Sequence, residues 1–191
     1  MPTLKGSQTE KNLLAAFAGE SQARNRYTFA ASVARKAGFE QISAIFLETA
    51  DNEKEYAHVF WKHLEGGDVE ITAAYPGGVT GDTLTNLQMA AAGEKLEWGT
   101  LYPAFAATAK EEGFGAVFVA FDQIAKVEAC HERRYNALAA RVAKGEVFQR
   151  GEKIFWHCRN CGMIVEGTAP PVVCPACQHA QAYYEPWVEN Y

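Results

Sequence analysis

The segment VFVAFDQIAKVEACHERRYNALAARV, Val117 to Val142, decides the fold. Its apolar residues recur in steps of four and three: Val117, Phe121 and Ile124, then Tyr135, Leu138 and Val142. That spacing is the buried seam of a long amphipathic helix. The same count runs through Glu128 and His131. A carboxylate and an imidazole one turn apart, both facing a core, are costly unless something pairs with them. A metal ion satisfies both.

Outward from this helix, the periodicity predicts three more. One runs from about Thr9 to Ala37 and stops at Gly38; a second runs from about Glu40 to Leu64. A third starts at Asp82 and Thr83 and reaches about Glu112 without a break. The fourth holds the opening segment and ends near Gly145. Glycines stop helices by taking the left-handed conformation at the cap. Residues 67 to 81 hold Pro76 and four glycines, too long for a tight hairpin and suited to a crossover. From 146 the helical period is lost, and short aromatic and β-branched runs take over. The expected division is a helical domain over 1–147 and a small domain over 148–191.

The helical part repeats itself. Ala18-Gly19-Glu20 recurs as Ala92-Gly93-Glu94, and Gly38-Phe39 as Gly113-Phe114. Ile42, Phe46, Thr49, Glu53, Tyr56 and Phe60 recur 75 positions on as Val117, Phe121, Ile124, Glu128, His131 and Tyr135. Two copies of a helix pair make a four-helix bundle with an approximate two-fold axis.

Each helix then turns acidic groups inward. Helix one carries Glu20, helix two Glu53, helix three Glu94 and Glu97, and helix four Glu128 with His131. Like charges in a low-dielectric core raise one another's pKa and oppose folding. Two divalent cations nearly balance these five carboxylates. Oxygen-rich ligation with one imidazole suits iron or manganese, and an inward Glu-x-x-His is the unit from which di-iron bundles are built.

The repeat predicts a histidine at 56, where the chain has Tyr56. Tyr56 either fills space and hydrogen-bonds a carboxylate, or ligates iron as a phenolate. His58 lies about 200° around the helix and faces away. Tyr27 and Tyr102, also 75 positions apart, are expected to give their hydroxyls to site carboxylates. Cys130 is expected to be a small buried residue.

Cys158-x-x-Cys161 and Cys174-x-x-Cys177 place four thiolates on two knuckles, a strong metal signal. Zinc would make the module a staple, whereas iron would make it a one-electron carrier. Phe155, Trp156, Tyr183, Tyr184 and Trp187 are expected to form its apolar centre, with His157 and His179 outside the ligand set.

Composition narrows the function classes. The chain has 191 residues, 48% of them hydrophobic, and a net charge of −5. With no basic cluster, nucleic acid and anionic membranes are poor partners. No apolar run reaches the roughly 18 residues that span a bilayer. The opening Met-Pro-Thr-Leu-Lys-Gly lacks a signal-peptide core, so the expected compartment is the cytoplasm.

Taken together, Glu20, Glu53, Glu94-x-x-Glu97, Glu128-x-x-His131 and the four cysteines resemble the rubrerythrin family, over essentially the whole chain. The resemblance implies a mainly α fold: a ferritin-like four-helix bundle with a long crossover, then a small β-rich rubredoxin-like domain. It implies two non-haem irons on Glu20, Glu53, Glu94, Glu97, Glu128 and His131, with Glu53 and Glu128 bridging. It implies one further iron on Cys158, Cys161, Cys174 and Cys177. It also implies a homodimer that reduces hydrogen peroxide to water, fed by rubredoxin or an NAD(P)H-linked reductase. Two departures stand out: Tyr56 for the family's usual histidine, which bears on the redox-linked shift of one iron, and Met163 for a common aromatic. The alternative functions are a ferroxidase, or an iron-binding or storage protein with a structural zinc module.

Overall fold

The computed structural model describes residues 2–190. Its helices are α1 (Gln8–Lys36), α2 (Glu40–Lys62), α3 (Thr83–Leu96), α4 (Tyr102–Glu111) and α5 (Gly115–Ala143). A π-helical turn, Glu97–Leu101, joins α3 to α4, so these two act as one interrupted rod of a four-rod bundle. Ser7 caps α1 by accepting from the Glu10 amide, and Asp82 caps α3 by accepting from the Thr85 amide. Both hairpins turn alike. Gly38 and Gly113 take φ of 82° and 84°, which frees the next amides, of Phe39 and Phe114, to bond back to Ala34 and Ala109.

The π turn corrects the expectation of an unbroken third helix, and its cause is in the residue count. Thr9, Asn12, Leu13 and Glu20 match Thr83, Asn86, Leu87 and Glu94 at an offset of 74, whereas Tyr27, Ala31 and Ala34 match Tyr102, Ala106 and Ala109 at 75. One residue has been added between Glu94 and Tyr102. An α-helix absorbs a single added residue as a wider turn. Every residue just named is buried, so the wider turn keeps both flanking faces on the core.

Two aromatic clusters bracket the mid-plane. Tyr27, Phe46 and Tyr135 meet at ring separations of 5.2 to 6.0 Å on one side. Tyr102, Phe121 and Phe60 meet at 4.8 to 5.7 Å on the other. The repeat superposes these triads member on member. Residues between α2 and α3 cross over without regular structure, and the Tyr75 hydroxyl anchors them by donating to the Ala15 carbonyl.

The C-terminal part is a three-stranded antiparallel sheet in the order β2 (Ile164–Gly167), β1 (Ile154–Cys158), β3 (Tyr184–Pro186). Trp156, Cys158, Cys174 and Tyr184 form its centre. Phe155 is exposed, contrary to expectation, because alternate residues of a strand face opposite ways and Trp156 takes the inner face. Trp187 packs on His157 at 4.9 Å instead of entering the centre.

Candidate metal centres

Glu20 comes from α1, Glu53 from α2, Glu94 from α3, Glu97 from the π turn, and Glu128 with His131 from α5. All but Glu97 are buried. Donor atoms of Glu53, Glu94, Glu128 and His131 lie within 4.8 Å of one another. His131 Nδ1 is 2.7 Å from Glu128, 3.5 Å from Glu53 and 3.8 Å from Glu94. Glu20 lies beside Glu53, and Glu97 beside Glu20 and Glu94, which complete the ring but stand outside that tightest set.

The donor set fits cations. Among the described residues, twelve buried side-chain polar atoms lack a hydrogen-bond partner, and seven belong to Glu20, Glu53, Glu94, Glu128 and His131. His131 Nδ1 is one of them despite its 2.7 Å approach to Glu128. Close but misaligned for a hydrogen bond, the two atoms stand as neighbouring ligands do on one ion, about 3 Å apart for bonds of about 2.1 Å. Burial pushes the Glu20 carboxyl up to about 7 and those of Glu53, Glu97 and Glu128 well above the usual range, with neighbouring carboxylates adding to the latter three. Anionic oxygens this disfavoured need positive charge.

Two phenols orient the ring. Tyr27 donates to Glu94 Oε1 and Tyr102 donates to Glu20 Oε1. Each bond crosses between rods, and the repeat maps one onto the other. Burial pushes both hydroxyls well above their ordinary value, so they stay protonated donors. Tyr56 behaves differently. It makes no hydrogen bond among the described residues, so the carboxylate bond expected of it is absent. Its ring is half-buried, 6.3 Å from that of His131. His58 is exposed and pairs with Glu55 at 3.6 Å, facing away as expected. Cys130 is also exposed: it lies two residues after Glu128, on the outer face of α5, which corrects its expected burial.

Three contributors were missed in the sequence. Tyr135 adds a buried, unpartnered hydroxyl where the first copy has Phe60; comparing the copies position by position exposes it. The Arg26 guanidinium stands 4.0 Å from where a side chain at Gly93 would begin, and it holds down the Glu97 carboxyl against the larger effects of burial, Glu20 and Glu94. The Tyr75 ring covers Gly19, 3.6 Å from where a side chain there would begin. No sequence spacing ties Tyr75, in the crossover, to the site.

The cysteines make the second centre. Cys158 and Cys177 sulfurs are 3.8 Å apart, and Cys161 and Cys174 sulfurs 3.7 Å apart. Disulfides need about 2.05 Å. A tetrahedron with metal–sulfur bonds of about 2.3 Å has edges of about 3.8 Å, so four thiolates around one ion fit. The Tyr184 hydroxyl beside Cys174 lowers that thiol, and the His179 amide helps bring Cys177 to about 6. Deprotonation readies thiols for metal.

Fold and donors together define a carboxylate-rich metal-binding helix bundle joined to a four-cysteine metal module. The family model described as Rubrerythrin matches residues 11–139, and one described as Rubrerythrin, rubredoxin-like domain matches residues 156–185. A Rubrerythrin of Porphyromonas gingivalis is 60% identical over 189 residues, covering 99% of this chain and 94% of the relative. One from Nitratidesulfovibrio vulgaris is 52% identical over 185 residues, covering 97% of each. Among solved structures, a mixed-valence nigerythrin is similar at a TM-score of 0.61 and 28% identity, covering 96% of this chain and 90% of that one. The chain belongs to the rubrerythrin family, an iron-binding family.

Proposed function

We propose that this chain is a hydrogen peroxide reductase. Peroxide takes up two electrons and two protons, its O–O bond breaks, and two waters leave. The observation that carries this reading is the union, in one chain, of a buried carboxylate–imidazole cluster and a tetrathiolate site. A ferroxidase or storage protein needs the first centre and has no use for an attached electron carrier.

Glu20, Glu53, Glu94, Glu97, Glu128 and His131 would hold two irons, and the four cysteines one. Bound iron would supply the electrons and a Lewis-acid template for peroxide. The protein does the rest. Tyr27 and Tyr102 fix the direction of Glu94 and Glu20. The two aromatic triads close the cluster at both ends and exclude water. Along α5, His131 and Ala143 are about 18 Å apart at about 1.5 Å per residue. A head-to-tail homodimer would shorten the electron path by bringing the second copy's cysteines to this bundle. Rubredoxin or an NAD(P)H-linked reductase would supply the electrons. Unbridged thiols suit a reducing compartment, the cytoplasm, and no described helix is long and apolar enough to cross a membrane.

The test is anaerobic reduction of the iron-loaded protein followed by rapid mixing with peroxide or with oxygen. Faster oxidation by peroxide supports the reading; equal rates or no reaction overturn it. Zinc at the cysteines would favour the ferroxidase or storage alternative.

A further inference from the structure

The approximate two-fold carries Glu128 onto Glu53 and His131 onto Tyr56. Both pairs share the i, i+3 spacing, so Tyr56 leaves α2 on the face that bears Glu53, as His131 leaves α5 on the face that bears Glu128. The Tyr56 ring packs with the core group of Phe60, Tyr102 and Phe121. It lies 6.3 Å from the His131 ring, inclined at 32°. The charged groups that bear most on its hydroxyl are Glu128, Glu53, Glu20 and Glu94, all members of the site.

Two ordinary roles are already filled. Tyr27 and Tyr102 supply the phenol-to-carboxylate bonds, and Tyr56 makes none. Plain filling of space needs only a phenyl ring, which Phe60 provides one turn on. Tyr56 is half-buried, and its hydroxyl, bonded to no side chain and still reached by solvent, is free to take a ligand.

We propose that Tyr56 is a metal ligand, its phenolate oxygen holding the ion on the Glu20 side of the cluster as His131 holds the ion on the Glu94 side. This rests on the iron-binding reading of the bundle. On ligation the Oη–H bond breaks, an Oη–Fe(III) bond forms and the proton leaves to solvent; no electron moves. A phenolate is a harder, anionic donor than imidazole, so it favours the ferric state of its ion. Tyr56 thereby makes the two irons unequal in potential.

The test is resonance Raman spectroscopy on the oxidised, iron-loaded full chain, grown with ordinary or ring-deuterated tyrosine. Wild type is compared with Tyr56→Phe and Tyr56→His, each with its iron content measured. The cysteine-bound iron contributes equally to all three spectra and cancels in the difference. The expected result is tyrosinate ring modes in wild type that shift on deuteration and vanish in both variants. Absence of these modes from a wild type with a filled bundle overturns the assignment, as does their survival in Tyr56→Phe. Either failure leaves peroxide turnover untouched, so the proposed activity stands or falls separately. A bundle that takes up no iron overturns both.

Discussion

Tyr27 on α1 donates its hydroxyl to Glu94 on α3, 67 positions away in the chain. The repeat returns the same bond as Tyr102 to Glu20. The two phenols are one structural device used twice, and their variants should behave as a pair.

Tyr27→Phe and Tyr102→Phe each leave a buried carboxylate oxygen without its donor. The expected loss is about 1–3 kcal/mol of stability and about 10- to 100-fold in bundle iron affinity. Chelator competition and thermal unfolding measure the two effects. A large effect from one variant and none from the other would contradict the device.

Metal removal should reverse the pH dependence of stability. In the metal-free bundle Glu20 is pushed up from 4.5 to about 7, and Glu53, Glu97 and Glu128 rise well above 4.5. The folded state then binds more protons than the unfolded state, so stability falls as pH rises. For Glu20 the contribution is whole below about pH 4.5 and is lost as pH climbs through about 7. It is on the order of 3 kcal/mol. Melts of metal-free protein should shift downward between about pH 5 and about pH 8. Iron-loaded protein, its carboxylates held ionised, should lose stability toward acid. A flat metal-free profile would contradict the buried ring.

Cys158→Ser removes one of four thiolates from a module whose centre is only Trp156, Tyr184 and two cysteines. Metal binding is expected to supply most of that module's folding energy. The variant should lose the cysteine-bound metal and the near-ultraviolet dichroism of Trp156 while keeping the far-ultraviolet signal of the helices. Retained Trp156 dichroism after complete metal loss would mean the small core suffices.

Deleting Thr100 restores ordinary helical register through the π turn. Glu94 and Tyr102 then stand seven residues apart, as Glu20 and Tyr27 do, so Tyr102 keeps its face toward Glu20. The expected stability change is within about 1 kcal/mol, with bundle iron retained, read by unfolding and metal analysis. A loss of several kcal/mol would show that the wider turn has a structural task beyond absorbing the added residue.

The sequence made the rods and the ring legible for a shared reason. Glu20, Glu53, Glu94, Glu128 and His131 sit at core spacing, where their chemistry is costly, so regularity and cost point to the same residues. The cysteine knuckles were legible because four ligands at short spacing need no tertiary argument. The π turn was not, because one added residue changes neither composition nor apolar pattern. Phe155 and Trp156 are adjacent aromatics, and only pairing with Val165 and Glu166 decides which one faces in. Tyr75 lies in an irregular segment whose path over Gly19 has no local signal.

The change of offset from 74 to 75 also carries a history. Had the longer rod existed before the chain doubled, both copies would have inherited it. If the two halves arose by doubling of one hairpin, the length difference came afterwards, by gain in the second copy or loss in the first. Before the doubling, a single hairpin gene could have closed the same acidic ring by pairing its product with a twin, and the later fused descendant was free to let its halves diverge.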